Sequence, residues 1–599
     1  MCGFLFSFTP DKAVDPEAFD RARDCLVHRG PDDAGTVFLR DGHVALGHRR
    51  LSILDLSSHG HQPMYGEEIW ALYNGEIYNY PQLKHQLEQL GCVFRSHCDT
   101  EILLHGYRVW GKELPKRLVG MFSFCLWDQH SGTLFAARDH TGQKPFYYFR
   151  DGNNFIAASE PKAIFSLMGR RPPMRREAIK EYLIYNDIPD PNTWYANLST
   201  LPGGHSLTLS GLASVSIPQI EEYWTFRPSE SLPRKVNLSS ACEGLGELIC
   251  RSVEMHQLSD VEVGAFLSGG LDSGGVVAVA SRQRRLPLKT YCVGYENDEG
   301  ELPLARQVAS LNGCDHAEMH LGVQAMVDAV ERSSRLFDMP FGDNSQFPTF
   351  EVAHLASRQV KVVLTGDGGD EAFGGYTHMR NFIGRAPIDF SSVRGALYCI
   401  KHRRERTQRL QSSLNFFYSC ETNQKVDSIL GPAFRDLSQY DGWGFYKQHW
   451  YPELHPFRRA QWNDLKCFLP MVLKKVDRCT MASSLEARSP LLHPELIEYM
   501  FGLPYEISNI NGILKHLYRE WLTRQHLLPE NILSAPKAPF NVSSLIASSA
   551  AVRHSISTRV ALLRNIGWIS DEGVKLTERD WMAGWRIAML ADFASESRI

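Results

Sequence analysis

Val263-Gly264-Ala265-Phe266-Leu267-Ser268-Gly269-Gly270-Leu271-Asp272-Ser273-Gly274-Gly275-Val276-Val277 decides how the second half of this chain folds. Residues 261–267 are short, apolar and rich in β-branched side chains, as a strand covered on both faces of a parallel sheet should be. A Gly-rich turn follows, and a helix is expected to begin at Gly274-Gly275. Strand, Gly-rich turn and helix offer backbone N–H groups and a helix N-terminus to phosphate. The GxxxxGK[ST] form is missing, so this is not the ordinary P-loop. Residues 288–293 and 360–365 repeat the buried-strand composition, and helical periodicity alternates with such runs from about residue 241 onward. A parallel α/β sheet is expected here. Residues 381–460 and 565–599 read as helical.

A second acidic loop follows the run at 360–364: Thr365-Gly366-Asp367-Gly368-Gly369-Asp370-Glu371, then Phe373-Gly374-Gly375-Tyr376. Carboxylates at strand ends beside a triphosphate suit Mg²⁺, which prefers oxygen ligands. The alternative is a solvated loop with ordinary caps, which the flanking glycines argue against.

Toward the N-terminus the pattern changes. Residues 206–240 are Ser/Pro-rich, preceded by the turn-prone Leu201-Pro202-Gly203-Gly204, and read as an edge strand and connector. Residues 1–205 hold short β-like runs broken by Gly, Asn and Asp, at 2–8, 44–46, 68–73, 121–127, 133–137 and 155–158. Amphipathic helices fit at 81–90 and 100–110. Antiparallel sheets with a few helices are expected.

Cys2 follows the initiator Met. A small side chain at position two permits removal of Met1, which leaves a thiol beside a free α-amine with an unperturbed pKa of roughly 7.7–8.0. Such an amine can take the thiol proton and give a nucleophilic thiolate. A second-position Cys alone says little. Behind it stand His28-Arg29-Gly30-Pro31-Asp32-Asp33, read as a turn, and Gly47-His48-Arg49-Arg50-Leu51-Ser52-Ile53, with an Arg before a β-like run. Tyr73-Asn74-Gly75-Glu76-Ile77-Tyr78-Asn79 reads as a strand ending in a Gly turn, and Cys98-Asp99-Thr100-Glu101 opens a helix. Each has a plain alternative: Arg50 as an ion-pair partner, Asn74-Gly75 as a simple turn, Asp99 as a helix cap.

Together these motifs resemble class II glutamine amidotransferases, which are N-terminal nucleophile hydrolases. The resemblance implies that Cys2 attacks the side-chain amide of glutamine. Asn74 and the Gly75 N–H would form the oxyanion hole, where each donor can lower a barrier by about 3 kcal/mol. Arg50 would hold the α-carboxylate with its planar fork. Glu76 and Asp99 would take the α-ammonium group.

In the second half, Ser268-Gly269-Gly270-Leu271-Asp272-Ser273 resembles the SGGxDS pyrophosphate loop of ATP pyrophosphatases, which cleave ATP to AMP and pyrophosphate. Residues 464–470, Val476-Asp477-Arg478, Leu485-Glu486-Ala487-Arg488-Ser489-Pro490 and Lys515-His516-Leu517-Tyr518-Arg519 are similar to the asparagine synthetase family. The sequence places Lys515 and Arg519 on one helical face. The resemblance implies an ATP-binding set of Leu267, Ser268, Gly269, Gly270, Asp272, Ser273, Val293, Thr365 and Gly366. It implies Mg²⁺ on Asp272 and Asp370, and Asp367 in acyl-adenylate formation. Lys537 would stabilise charge on the α-phosphate.

The resemblance spans residues 1 to about 545. It implies an N-terminal nucleophile hydrolase domain of stacked antiparallel sheets (1–205), the connector (206–240), and an ATP-pyrophosphatase-type α/β synthetase domain (241–599). Glutamine-derived ammonia would cross an internal channel and displace AMP from an activated carboxylate, most simply aspartate. Three departures bear on the acceptor. Gly274 replaces a second Ser, Pro490-Leu491-Leu492-His493 replaces Pro-Phe-Leu-Asp, and Ala535 and Pro539 replace Arg and Gly near Lys537. The last two lie where the acceptor carboxylate is expected, so a sugar acid or specialised-metabolite precursor is the alternative.

The 599 residues carry 43% hydrophobic and 22% charged side chains, enough for a large buried core. Net charge is −4, so no basic field favours nucleic acid or anionic lipid. The basic run at 401–406 reads as a solvated helix face. No secretory signal and no apolar stretch long enough for a membrane span is apparent. The 13 cysteines show no zinc-site spacing and point to a reducing, cytoplasmic compartment. Small-molecule partners are expected; the sequence does not fix the oligomeric state, and the resemblance implies the homodimer that the family often forms.

Overall fold

The computed structural model describes residues 2–210, 217–228, 236–295, 300–379, 423–451, 453–510, 513–535 and 549–594. Lys537, Pro539 and the basic run at 401–406 lie outside the described residues, as does much of 381–460.

Two six-stranded antiparallel sheets build the N-terminal part. One runs, edge to edge, Leu198–Thr200, Tyr147–Asp151, Asn154–Ala158, Gly3–Phe8, Val44–Arg50, Asp33–Leu39. The other runs Gln219–Glu222, His205–Ser210, Thr133–Arg138, Gly120–Asp128, Ile69–Ile77, Met64–Gly66. Strand alternation explains the stacking. Phe4, Phe6 and Phe8 share one face of their strand and pack with Leu72, Trp127, Leu134 and Ala136 of the other sheet. Leu5 points the other way, against Phe19, Ala22 and Ala45. The two helices expected from the sequence form at Tyr80–Gln89 and Thr100–Trp110, joined by Pro16–Asp24, Pro161–Met168 and Ala178–Tyr185.

The third sheet is parallel: Asp315–Leu321, Lys289–Tyr295, Val263–Phe266, Val362–Leu364, Glu486–Arg488. After Val263–Phe266 the chain adds two strands on one side and then returns to the other. The order therefore reverses between Val263–Phe266 and Val362–Leu364, and α/β sheets bind ligands at the carboxyl ends of strands at such a reversal. The two loops singled out in the sequence leave those two neighbouring strands.

The segment at 565–594 is helical, with Asp571–Arg579 and Trp581–Ala588, and packs on the N-terminal part. Tyr182 donates to the Arg586 carbonyl at 2.8 Å, and Trp194 lies 6.2 Å from both Trp568 and Phe593.

Candidate active sites

Cys2 immediately precedes the Gly3–Phe8 strand and is buried. Its backbone N–H donates to Asn74 Oδ1 at 2.9 Å. Asn74 is fully buried, and its Nδ2 has no hydrogen-bond partner. A buried amide donor without an acceptor is costly unless a ligand supplies one. Burial pushes the Cys2 thiol up from its ordinary value, so the thiolate needs a base at hand.

Asn74 does not end its strand in a turn. Ile69–Ile77 continues through Gly75, which pairs with Phe122. Glycine is required there by close approach: a Cβ would lie 2.1 Å from the Met121 carbonyl oxygen. Asn74 and Glu76, two residues apart, share one face of the strand.

Arg50 ends the Val44–Arg50 strand instead of preceding it. Its guanidinium donates to the carbonyls of Ser57 (3.0 Å), Leu54 (3.1 Å) and Asp55. These backbone partners fix the fork without neutralising it, which leaves its charge for an anion. Asp99 makes no helix-cap hydrogen bond. Its Oδ2 accepts from Tyr73 OH and from the Ile77 N–H, both at 2.8 Å. Burial and then Glu486 push the buried Glu76 carboxyl well up from its ordinary value.

At the parallel sheet the helix starts at Leu271, not Gly274, so Asp272 and Ser273 lie in its first turn. The cap residue Gly270 provides no side-chain cap, leaving the first N–H groups for a ligand. Ser268 Oγ lies 2.8 Å from Ser273 Oγ and accepts from the Gly270 N–H, which folds the loop on itself. Leu267 donates to Tyr291 O at 2.9 Å, and Val293 lies buried on the adjacent strand. Gly366 touches the first loop so closely that a Cβ would come within 2.5 Å of Ser273 N. Thr365 Oγ1 is 3.1 Å from Ser489 Oγ. Asp367 is half-buried on this loop.

Asp272 and Asp370 converge on one cation, the Lys515 ammonium, which lies 2.6 Å from Asp370 Oδ1 and also pairs with Asp272. Nothing in the spacing of Lys515, Asp272 and Asp370 along the sequence signals this convergence. Lys515 precedes the His516–Arg524 helix with φ +56°, so it does not share a helical face with Arg519. Arg519 donates instead to the carbonyls of Leu514 (3.0 Å), Ala535 (3.1 Å) and Leu533. Next to this pair, burial and Asp370 push the Glu371 carboxyl up to about 8.

The sequence also missed how the halves meet. Arg29 is fully buried. Its Nε donates to the Cys2 carbonyl at 3.0 Å, and its two terminal nitrogens grip Asp477 at 2.8 and 3.0 Å. Asp477 lies in the Leu469–Met481 helix of the second half.

Two family models match this chain. One described as asparagine synthase covers residues 244–570, and one described as a glutamine amidotransferase domain covers residues 1–224. The chain belongs to the asparagine synthase family. It is 29% identical over 575 residues to "Asparagine synthetase [glutamine-hydrolyzing] 1" of Bacillus subtilis, covering 90% of this chain and 87% of that protein. It is 32% identical over 592 residues to "Putative asparagine synthetase [glutamine-hydrolyzing]" of Mycobacterium bovis, with the same coverage. A third relative, "Amidase chry2" of Gibberella zeae, is 27% identical over 561 residues, 84% of this chain and 82% of that protein. As a member of the asparagine synthase family the chain is an ATP-dependent glutamine amidotransferase of the ligase type. Among the described residues no helix is long and apolar enough to cross a membrane.

Proposed function

We propose that this enzyme hydrolyses glutamine at Cys2 and uses the ammonia to amidate an adenylated carboxylate, aspartate in the leading reading. The observation that carries the proposal is Asn74, whose Oδ1 holds the Cys2 nitrogen while its buried Nδ2 awaits an acceptor. Once Met1 is removed, that nitrogen becomes the α-amine that deprotonates the thiol. Asn74 Nδ2 and the Gly75 N–H then receive the oxyanion of the tetrahedral intermediate. Arg50 takes the α-carboxylate of glutamine, and Glu76 and Asp99 take its α-ammonium.

At the second site, Ser268–Ser273, Thr365 and Gly366 would cradle the phosphates of ATP, with Leu267 and Val293 against the adenosine. Mg²⁺ suits the donor set, because Asp272 and Asp370 already converge on a cation. Among the described residues no group of three or more His, Cys, Asp or Glu forms a closed metal site. Two carboxylates completed by phosphate oxygens are what Mg²⁺ takes when it arrives with a nucleotide. When bound it would neutralise the phosphates, and Lys537 would serve the α-phosphate. Asp367 lies on the loop where the carboxylate would be adenylated. A free carboxylate is a poor acyl donor and its AMP ester a good one, so ammonia can then displace AMP. The eleven described free cysteines accord with a reducing compartment.

Incubation with glutamine, Mg-ATP and aspartate tests the reading, with pyrophosphate and asparagine followed together. Equal yields support aspartate as acceptor; pyrophosphate release that ignores aspartate removes it. A second reading keeps the mechanism and changes the acceptor. It is favoured by the buried His493, which follows Leu491 and Leu492 directly against the Gly368-Gly369 loop, and by the relative named an amidase. Under either reading Cys2→Ala abolishes glutamine use and spares ammonia-dependent turnover.

A further inference from the structure

A residue of the parallel sheet reaches Glu76 of the proposed glutamine pocket. Arg488 closes the edge strand Glu486–Arg488 of the parallel sheet and is fully buried. Its NH1 donates to the carbonyls of His256 (2.9 Å) and Leu258 (2.6 Å), and its Nε lies 2.6 Å from Glu486 Oε1. Its NH2 crosses the domain boundary and lies 3.4 Å from Glu76 Oε1. The main chain of the same residue is tied to the adenylation loop, because Thr365 N–H donates to the Arg488 carbonyl at 2.8 Å.

We propose that Arg488 is a positioning residue of the glutamine pocket, its guanidinium holding the Glu76 carboxylate in place for the α-ammonium group of glutamine. The inference rests on the reading of Glu76 as an α-ammonium partner. Glu76 feels two further carboxylates, Asp99 from the N-terminal domain and Glu486 from the synthetase sheet, and Arg488 is the cation that faces it. Burial and the neighbouring carboxylates favour a protonated, uncharged Glu76, which would bind an ammonium poorly. Arg488 opposes that effect. Three hydrogen bonds, to the His256 and Leu258 carbonyls and to Glu486, leave the guanidinium little freedom, so it acts as a rigid post whose remaining Nη2 stands 3.4 Å from Glu76 Oε1.

The test uses the full-length enzyme and steady-state glutamine hydrolysis, with thermal unfolding as a measure of integrity. In Arg488→Met the glutamine KM should rise at least tenfold with kcat within threefold, and the acid limb of kcat/KM should move to higher pH. Arg488→Lys, which keeps the charge but not the fork, should fall between. Combining Glu76→Gln with Arg488→Met should add less than twofold to the KM of the worse single variant. A KM within twofold of wild type in Arg488→Met, or fully multiplicative effects in the double variant, would overturn the proposal. If Arg488→Met does not fold, Arg488→Lys decides: a KM rise of threefold or more with an unchanged unfolding midpoint supports the inference, and an unchanged KM refutes it. Failure of the Glu76 reading is seen separately, as an unaltered KM in Glu76→Gln alone.

Discussion

At the residue scale, Asn74 holds the Cys2 nitrogen with its Oδ1 and keeps a buried Nδ2 donor without an acceptor. Asn74→Ala should lower kcat for glutamine hydrolysis by about 10²–10³ and leave ammonia-dependent turnover intact, which paired assays with the two nitrogen sources will show. Buried imidazoles carry a different prediction. Burial lowers His493 to about 4 and His140 to about 3, from an ordinary 6.5. The unfolded chain therefore takes up protons first. Stability from these groups is complete above about pH 6.5 and is lost as pH falls toward 4. A drop from 6.5 to about 4 is worth on the order of 3 kcal/mol for His493. Unfolding midpoints should begin to fall near pH 6.5, before the ordinary carboxylate range, and His493→Asn should flatten that limb.

At the element scale, the two loops at the sheet reversal touch through glycine backbones. Gly366→Ala would drive a Cβ to 2.5 Å from Ser273 N and 2.8 Å from the Asp272 carbonyl carbon, neither of which can retreat. Pyrophosphate release should fall at least tenfold, while glutaminase activity, read as glutamate production, stays near wild type. These loops were legible in the sequence because Gly, Asp and Ser at fixed spacing have few other uses. So were the apolar strands, since a period of two or a short β-branched run leaves little choice. The strand Glu486–Arg488 was not, because Glu-Ala-Arg looks like surface. It is buried only because Arg488 finds Glu486, Glu76 and two carbonyls, partners remote in sequence. The edge strand Asp315–Leu321 hid for a related reason: His316, Glu318 and His320 alternate with Ala317, Met319 and Leu321, and only Leu321 is buried. The Asn74-Gly75 turn was misread because glycine there serves close packing within a strand rather than chain reversal.

At the scale of the whole molecule, the domain boundary is a buried network of charges. Glu160, fully buried in the N-terminal domain, lies 2.8 Å from Arg29 and 2.6 Å from Arg478 of the synthetase domain, with Lys162 at 3.0 Å and His28 at 3.1 Å. Asp338 joins Arg478 at 3.3 Å, and Asp477 closes the ring through Arg29. Replacing such a network by apolar groups could be neutral, but removing one member strands the others in a low-dielectric interior. Glu160→Gln should therefore destabilise the protein by about 3–5 kcal/mol, read as a lower unfolding midpoint at neutral pH. Electrostatic attraction from Arg478 and His28 outweighs burial and holds the Glu160 carboxyl well below its ordinary 4.5. Its stabilising effect is thus present above about pH 4.5 and is lost as pH falls below that value, so the gap between wild type and Glu160→Gln should narrow in acid. Activity should follow the same geometry. Arg29 holds both Glu160 and the Cys2 carbonyl, so weakening one grip loosens Cys2, the residue proposed to attack glutamine. Glu160→Gln is expected to lower kcat for glutamine hydrolysis more than it changes KM, the converse of Arg488→Met. Two boundary variants with opposite kinetic signatures would separate placement of the proposed nucleophile, Cys2, from placement of glutamine.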